Sequence, residues 1–516
     1  MKMKMNDACS GFSIDFSRMN ITWDELEKLQ DKFQRAVREM AALEGGAIKN
    51  PDENRQVTHF TDRINYRASD LFKSVEEFAS DIRSGKLTGG TGKTFDAVVV
   101  NGIGGSALGP QLLQFALNGP YWNEKSREER KNALKVYFLD NTDPAGLRDV
   151  LDQIDMERTL QLCVSKSGGT QETLNNLTAL ENAYMAAGLN YSDYACAITM
   201  PGSKLDKHSR EMNCLKIFPM AESIGGRTSE TSIVGHVPAA LAGIDFAQFL
   251  EGACRMDIWT RSEDYRNNPA MMLAAMWYIA GQGKGDRNMV IVPYSDRLVL
   301  LSRYLQQLVM ESLGKELDLD GKTVHQGLNV FGNKGGTDAH AFIQQLNDGR
   351  DDFFATFIEV LRDADTIPLD GGLAMGDYLH GFMYGLAAAL EGKKRPVITM
   401  EITAVSPDNL GALIALYERA VAIYAEFINI NAFHQPGVQA YKLAAKGMLE
   451  IREKLFAGLA ERPVSGTAAE LAEKTGLAGQ TAAVAGWLNR AAANPELYPV
   501  ERKFSADVND WVYTVK

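Results

Sequence analysis

Short apolar runs alternate with helical stretches from Phe95 onward, and this alternation constrains the fold more than any other feature. The first set of runs reads AVVVNGI, KVYFLD, LQLCVSK, YACAITM and CLKIFPM, and a second set from near Asn288 reads MVIVPYS, GLNVFG, DDFFATFIEV and RPVITMEI. Such runs, separated by helices, are typical of parallel sheets covered by helices on both faces. The sequence therefore predicts an α/β fold whose ligands bind beyond the carboxyl ends of the strands.

The stretch LQLCVSKSGGTQETLNN, residues 160–176, contains the most informative of the predicted loops. A Gly-rich turn separates an apolar strand from a helix, and the unpaired N–H groups of a helix N-terminus attract anions. The candidate anion ligands are Ser165, Lys166, Ser167, Thr170 and Thr173. No GK[ST] follows at Walker spacing, so a small phosphate ester fits better than a nucleoside triphosphate. An ordinary strand–turn–helix with a hydroxyl cap is the alternative.

A second glycine-rich loop, GIGGSALGP, follows the first apolar run at residues 102–110. It fits the pattern G-x-G-x-x-A of dinucleotide sites. However, the first acid to end the next strand, Asp140, lies farther along the chain than the roughly 20 residues expected for a ribose-binding acid. We therefore interpret Gly104, Gly105 and Ser106 as one wall of a sugar-phosphate pocket.

Four further side chains have the chemistry and local context of catalytic groups. Arg227 follows two glycines in GGRTSETSIVGH, where a guanidinium could stabilise developing negative charge. Glu311 follows the apolar helix YLQQLVM, and partial desolvation there would suit a general base. His340 follows a Gly-rich turn, and Lys442 lies one to two turns into a helix that begins near a Pro-Gly pair. A surface Arg, a solvated helix end and a structural His are the corresponding alternatives.

Composition and charge exclude several classes of function. The 516 residues carry a net charge of −12, which disfavours binding to nucleic acid or anionic membranes. The segment AAELAEKTGLAGQTAAVAGWL could pass for a helix-turn-helix, but few cations surround it. Five scattered cysteines without CxxC pairs indicate a reducing compartment. The sequence contains no long apolar run and no signal-peptide pattern, so we expect a cytoplasmic protein without a membrane span.

Six of these segments occur in an order typical of one enzyme family. GIGGSALGP, SKSGGTQET, GGRTS, MESLGK, TDAHAF and QPGVQAYK resemble the successive motifs of the phosphoglucose isomerase (glucose-6-phosphate isomerase) family, from about residue 97 to 445. The resemblance implies two sugar-isomerase domains, each a parallel sheet flanked by helices, at residues 91–250 and 251–440. A helical N-terminal segment, 1–90, and a helical C-terminal region, 441–516, would complete the chain.

The resemblance also implies a reaction and a role for each candidate residue. The reaction is the reversible isomerisation of glucose 6-phosphate and fructose 6-phosphate, by acid/base ring opening and proton transfer through a cis-enediol(ate), without cofactor or metal. The family's phosphate loop corresponds to Ser165, Lys166, Ser167, Thr170 and Thr173, and its Gly-Ser turn corresponds to Gly105 and Ser106. Its transition-state arginine is Arg227, and its base is Glu311, with Gln307 one turn earlier. Its ring-opening histidine is His340, and its C-terminal lysine is Lys442, with Gln435 ahead of it. The family donates that histidine across a subunit interface, so a homodimer is expected.

Departures from the family pattern and rival functions remain open. Leu313, Gln439 and Asn333 replace residues that many members carry as Asn, Glu and Glu, which bears on fine specificity more than on reaction type. One rival is a non-catalytic sugar-phosphate-binding protein, and another is a nicotinamide dehydrogenase that uses GIGGSA. A metal-dependent hydride-shift isomerase is the third rival, but the seven His residues are dispersed and no cluster has metal-ligand spacing.

Overall fold

The chain divides into two compact units in the computed structural model, which describes residues 3–7, 9–460 and 463–516. Unit 1 is Met1–His434 and unit 2 is Gln435–Lys516. The strands of unit 1 are β1 (Lys4–Asn6), β2 (Ser13–Arg18), β3 (Ile48–Asn50), β4 (Arg55–Gln56), β5 (Ala97–Asn101), β6 (Lys135–Leu139), β7 (Thr159–Val164), β8 (Ala195–Thr199), β9 (Lys216–Pro219), β10 (Asn288–Pro293), β11 (Lys315–Leu317), β12 (Thr323–Gln326), β13 (Val330–Phe331), β14 (Phe353–Val360) and β15 (Val397–Ile402).

Helices of unit 1 precede, cover and connect these strands. They are α1 (Trp23–Glu27), α2 (Gln30–Glu44), α3 (His59–Arg67), α4 (Asp70–Ser84), α5 (Leu108–Leu113), α6 (Pro144–Gln153), α7 (Gln171–Ala186), α8 (Lys204–Glu211), α9 (Ile233–Leu241), α10 (Phe246–Trp259), α11 (Pro269–Ala280), α12 (Leu301–Leu305), α13 (Ile343–Asp348), α14 (Met375–Gly392) and α15 (Pro407–Phe427). Short 3-10 turns lie at Gly104–Ser106, Gly226–Thr228 and Asp338–His340, and a π-helical turn lies at Gln306–Glu311.

The first sheet has five strands in the order β6-β5-β7-β8-β9. All neighbouring pairs are parallel, and β5, β7 and β8 are buried along their whole length because helices cover both faces. The chain leaves β5 for β6 on one side and returns as β7 on the other. The carboxyl ends of β5 and β7 therefore form a topological switch point, where sheets of this kind bind ligands.

The second sheet has six strands in the order β1-β2-β15-β14-β10-β13. The predicted runs form a parallel core of β10, β13, β14 and β15, and the mixed α/β fold with helix-flanked parallel sheets is confirmed. Strand β2 adds to this sheet antiparallel to β15 and buries Ile14 and Phe16. The sequence interpretation describes residues 1–90 as helical. Helices α1 to α4 are present there, but the segment also contains strands β1 to β4, which that description did not include.

Helix α15 forms the centre of unit 1. Every residue from Asn409 to Phe427 is buried, and the helix packs against α10 and α11. Two charged residues near its middle, Glu418 and Arg419, are nevertheless almost completely shielded from solvent. Buried charges of this kind must be paired, and their partners lie on α2, α3 and α10.

Unit 2 is a small domain in the order α16 (Pro436–Gly458), β16 (Val464–Thr467), α17 (Ala468–Lys474), α18 (Thr481–Ala492), β17 (Val500–Ser505) and β18 (Asp510–Val515). Its antiparallel sheet has the order β16-β18-β17, and its core includes Leu455, Leu471, Val484 and Leu488. Helices α17 and α18 lie where the sequence suggested a helix-turn-helix. Residues 441–516 were expected to be helical, and the hairpin of β17 and β18 differs from that expectation.

No helix within the described part of the chain is both long enough and apolar enough to cross a membrane.

Candidate active site

Loops that follow β5, β7 and β9 meet at the carboxyl edge of the first sheet. A Cβ added to Gly105, in the turn after β5, would lie 1.9 Å from the carbonyl oxygen of Gly226, so the two 3-10 turns are in direct backbone contact. Lys166, after β7, donates from Nζ to the carbonyl oxygens of Glu222 at 2.5 Å and Ile224 at 2.9 Å, in the segment after β9. These contacts bring two predicted motifs and the Arg227 turn to one place.

The π-helical turn Gln306–Glu311 brings two further predicted residues to this edge. A π-turn inserts an extra residue into a helix and changes the direction of the side chains that follow, and such turns are frequent at functional sites. The side-chain nitrogen of Gln307 lies 3.0 Å from the position that a Cβ on Gly104 would take. Glu311, the last residue of the turn, keeps 17% of its side chain exposed.

Arg227 lies directly beside Glu311. Its Nε is 3.4 Å from Glu311 Oε2, and its Nη2 donates to the carbonyl oxygens of Glu311 at 3.4 Å and His434 at 3.2 Å. Only 3% of the Arg227 side chain is exposed. Burial lowers the pKa of this guanidinium, whereas the Glu311 carboxylate acts in the opposite direction. The result is a shielded ion pair in which both partners retain polar atoms without a hydrogen bond.

Lys315 is part of this arrangement, although the sequence interpretation did not select it. Its Nζ donates to the carbonyl oxygens of Glu311 at 2.8 Å and Ser312 at 2.7 Å, which lack helical partners at the end of the helix. Burial lowers the pKa of Lys315 to about 7, with Arg227 adding to the shift. The available sequence signal was its position directly after Gly314, at a predicted helix end.

The predicted phosphate loop folds as a compact turn before α7. Ser165 Oγ accepts a hydrogen bond from the Gly168 amide at 3.1 Å, and Gly168 has the left-handed φ of 66° that glycine tolerates. Thr170 is the N-cap residue of α7, yet its side chain makes no capping hydrogen bond. Thr173 is buried with its hydroxyl unpaired to any described protein atom. The loop therefore presents free amide and hydroxyl donors at the start of a 16-residue helix.

Lys166 and Ser167 of this loop make hydrogen bonds within the protein. Ser167 Oγ accepts from the Gly169 amide at 3.2 Å. The Lys166 ammonium, described above, is held by two carbonyl oxygens, and burial together with nearby Arg55 lowers its pKa to about 8. Lys166 therefore joins the phosphate loop to the segment that precedes Arg227, and Ser106 lies in the neighbouring 3-10 turn of Gly104–Ser106.

Arg55 and His59, near the N-terminal end of α3, also belong to this region and were missed from the sequence. Arg55 donates to the carbonyl oxygens of Ser223 at 3.0 Å and Phe433 at 3.3 Å. His59 lines a small cavity together with Arg227. Neither residue stands in a recognisable motif, because each reaches the site from a remote segment.

Three predicted residues remain, one in unit 1 and two in unit 2. His340 ends the 3-10 turn Asp338–His340 and is exposed on unit 1. Gln435 is the N-cap residue of α16, and Lys442 is an exposed residue of the same helix, both in unit 2. Among the described residues, no group of three or more His, Cys, Asp or Glu side chains is arranged to hold a metal ion.

Chemically, the edge of the first sheet combines the predicted phosphate loop with a carboxylate and a guanidinium in contact. A carboxylate in this position can accept and return a proton, and the guanidinium can stabilise negative charge that develops beside it. Such a site suits proton transfer within a small phosphorylated substrate.

Comparison with known proteins identifies the same family as the sequence motifs. The sequence model of the family described as phosphoglucose isomerase matches residues 15–379 and 386–459. A glucose-6-phosphate isomerase from Gloeothece citriformis is 45% identical over 94% of this chain and 92% of its own length. One from Geobacter sulfurreducens is 45% identical over 95% and 93%.

Solved structures agree. The crystal structure of a glucose-6-phosphate isomerase from Chlamydia trachomatis superposes with a TM-score of 0.76 at 28% identity, over 86% of this chain and 89% of that one. The relatives match nearly the whole chain and the structure matches the arrangement of its sheets. The chain therefore belongs to the phosphoglucose isomerase family.

Proposed function

We propose that this chain catalyses the reversible isomerisation of glucose 6-phosphate and fructose 6-phosphate. The observation that carries the proposal is the Arg227–Glu311 contact at 3.4 Å, placed at the strand edge that also bears the anion-binding loop. The named activity of relatives about 45% identical over most of the chain supports the same reaction. Isomerisation of an aldose to a ketose is an internal redox change and needs no external electron carrier.

The substrate phosphate binds the loop before α7 in this proposal. The hydroxyls of Ser165, Ser167, Thr170 and Thr173 and the first amide groups of α7 are its ligands, and Lys166 adds positive potential. Gly105 and Ser106 form the adjoining wall, where the absence of a side chain at Gly105 allows the two turns to meet. The sugar would then extend from this loop toward Glu311.

Glu311 carries the proton between C2 and C1. Abstraction of the C2 proton of the open-chain aldose leaves an enediolate with its charge on O1. Transfer of the O2 hydroxyl proton to O1 and return of the first proton to C1 then give the ketose, so one carboxylate suffices for the transfer between the two carbons. Arg227 stabilises the negative charge of the enediolate, a contribution worth about 10²–10³-fold in rate for a single well-placed donor. Gln307, one turn before Glu311, would bind a sugar hydroxyl.

Ring opening precedes this step and requires an acid and a base. We assign these roles to His340 and Lys442, with Gln435 as a substrate ligand, as the family resemblance implies. The exposed position of His340 on its own unit is what a residue donated to a partner subunit requires. We accordingly propose a homodimer in which each site receives His340 from the other chain, in a cytoplasmic enzyme.

An apolar surface near His340 supports the dimer. The loop before α14 and α14 itself expose Ile367, Leu369, Leu373, Met375, Phe382 and Tyr384. Leu379 of α14 lies beside Gly336, in the loop that leads to His340. Exposed apolar side chains of this kind are frequent at subunit interfaces, and burial of the ones near His340 would bring His340 to the contact between chains.

The reaction is tested with purified protein that has been treated with a chelator. Conversion of fructose 6-phosphate to glucose 6-phosphate, followed by a coupled dehydrogenase, should be rapid, and no conversion would reject the proposal. Glu311→Gln should lose turnover but keep affinity for a phosphorylated inhibitor. Retention of turnover would exclude Glu311 as the proton carrier, whereas binding without turnover in the wild type would indicate a non-catalytic binding protein.

The shared site is tested by complementation. His340→Ala and Glu311→Gln homodimers should both be inactive, but a co-expressed heterodimer contains one site with an intact Glu311 from one chain and an intact His340 from the other. Recovery of a substantial part of the activity supports donation of His340 across the interface. If the heterodimer stays inactive, His340 acts within its own chain, whereas an active His340→Ala homodimer would show that His340 has no role.

A further inference from the structure

His59 is a buried side chain whose hydrogen-bonding capacity is unused. It is the first residue of α3, and only 2% of it is exposed. Neither ring nitrogen makes a hydrogen bond to a described protein atom, although the ring packs on Phe60 with centroids 3.9 Å apart. Buried polar atoms in folded proteins almost always have a partner, so two unpaired nitrogens call for an explanation.

Burial, helped by nearby arginine side chains, determines the charge state of His59. Its pKa is lowered far below the usual range by burial and by the guanidinium groups of Arg63, Arg419, Arg55 and Arg227. The imidazole is therefore neutral at the working pH. A neutral imidazole offers one donor and one acceptor, so it can both donate a hydrogen bond to a neighbouring polar group and accept one.

The cavity beside His59 has the size and lining of a water site. Its walls include His59, Arg227 and Glu418, and apolar side chains such as Val421 complete it. The space open to the centre of a water molecule is about 10 Å³, which corresponds to roughly one water. Arg227 Nε and Glu418 Oε1 are buried polar atoms without a hydrogen-bond partner, as are the His59 nitrogens. One water here would therefore have the two to four polar partners that buried waters typically require.

Glu418 connects this cavity to a network of buried ion pairs. Its other carboxylate oxygen pairs with Arg63, and Arg63 in turn pairs with Asp257 at 2.7 Å. Arg419 contacts the same aspartate at 3.1 Å. Helices α3, α10 and α15 are joined by these pairs. A water held by Glu418 and His59 is thus attached to side chains that join three helices.

We propose that His59 is a positioning residue for Arg227. Together with one buried water and the Glu418 carboxylate, it holds the guanidinium, which lines the same cavity and contacts Glu311 through Nε and Nη2. The proposal rests on the proposed isomerase function, because the orientation of Arg227 matters only if it stabilises an enediolate. A misplacement of about 1 Å of such a group costs up to about 100-fold in rate.

The kinetic test compares three variants with the wild type. His59→Phe keeps a planar ring but removes both nitrogens, His59→Gln retains a donor and an acceptor, and Val421→Ala removes packing from the same cavity without a polar change. We expect His59→Phe to lower kcat about 10- to 100-fold with KM changed less than about 3-fold. His59→Gln should recover much of the loss, and Val421→Ala should turn over normally despite a lower melting temperature.

Two inhibitors separate positioning from general damage. A five-carbon sugar-acid phosphate has a planar carboxylate that resembles the enediolate, whereas glucitol 6-phosphate has only saturated carbons. His59→Phe should lose affinity for the first by about the factor lost in kcat and keep affinity for the second. Equal losses for both inhibitors, or a kcat within about 3-fold of Val421→Ala, would overturn the proposal.

A crystal structure of the full wild-type chain gives an answer that does not depend on turnover. At a resolution that shows ordered waters, a peak within hydrogen-bond distance of His59, Arg227 and Glu418 is expected. A dry cavity would overturn the proposal even if the enzyme is active. If the wild type fails to isomerise fructose 6-phosphate, the proposed function fails, and the presence or absence of this peak still decides the water site. If His59→Phe does not fold, the crystal structure of the wild type still tests the proposal.

Discussion

Replacement of Lys315 by Met removes an ammonium group from the immediate surroundings of Glu311. Lys315 is only 4% exposed, and its Nζ donates to two carbonyl oxygens at 2.7 and 2.8 Å. A neutral amine still has two hydrogens for these bonds, so deprotonation leaves the geometry intact. The substitution, by contrast, leaves both carbonyl groups without this donor at every pH.

The size of the effect follows from the pKa of Lys315. The pKa of Lys315 falls from 10.5 to about 7 on folding. Between pH 7 and pH 10.5 the unfolded chain therefore binds more protons than the folded chain. The free energy of unfolding therefore rises with pH across this window, by up to about 1.4 kcal/mol per unit. From pH 7 to 9.5 this one residue should add roughly 3 kcal/mol to the stability of the wild type, and none to that of Lys315→Met.

Urea unfolding at several pH values between 6 and 9.5 measures this contribution. The difference in unfolding free energy between the wild type and Lys315→Met should grow with pH in favour of the wild type. Lys73→Met is a matched control, because Lys73 is an exposed lysine of α4 whose partner is Asp70 at 3.0 Å. A difference that stays constant within about 1 kcal/mol would refute the deprotonation of Lys315 in the folded protein.

Three further substitutions test the geometry of the site. Gly105→Ala introduces a Cβ 1.9 Å from the Gly226 carbonyl oxygen. The substitution should destabilise the chain by about 1–3 kcal/mol and reduce kcat, as thermal melting and turnover assays would show. A normal melting temperature and kcat would contradict the contact between the two turns. Arg227→Lys keeps the charge but not the fork of donors, so kcat should fall about 10²-fold with a smaller change in KM; an unchanged kcat would remove Arg227 from the mechanism. Thr173→Val preserves shape and removes a hydroxyl that has no described protein partner, so stability should hold while inhibition by inorganic phosphate weakens about 10-fold; equal inhibition would exclude this hydroxyl as a ligand.

Much of the fold could be predicted from the sequence because short stretches of residues specify each strand and helix. Each apolar run from AVVVNGI to RPVITMEI is long enough for one buried strand, and the intervening helical periods require crossover connections. Parallel strands place their carboxyl ends on one edge, so the loops that contain Gly105, Ser165 and Arg227 were expected to converge there. Their contacts in unit 1 follow from that topology. The family was also evident from six short motifs in order, and the comparisons confirm it.

Other parts of the structure depend on partners that local sequence does not name. Strand β2 pairs with β15 across nearly the whole length of unit 1, and the segment SIDFSR alone carries no indication of that partner. The β17–β18 hairpin of unit 2 was likewise hidden in a mixed, polar tail. Strand pairing over such separations is decided by which surfaces remain to be covered after the cores have formed.

The sequence by itself determined the layered α/β architecture, the position of the predicted phosphate loop and the residues proposed for catalysis. Only the tertiary structure decided that Lys166 holds the segment before Arg227, that Lys315 donates to the Glu311 carbonyl, and that His59 lines a cavity with Arg227. The reason is physical: periodicity reports which face of an element is buried, whereas hydrogen bonds and ion pairs within a site depend on side chains that approach from remote segments.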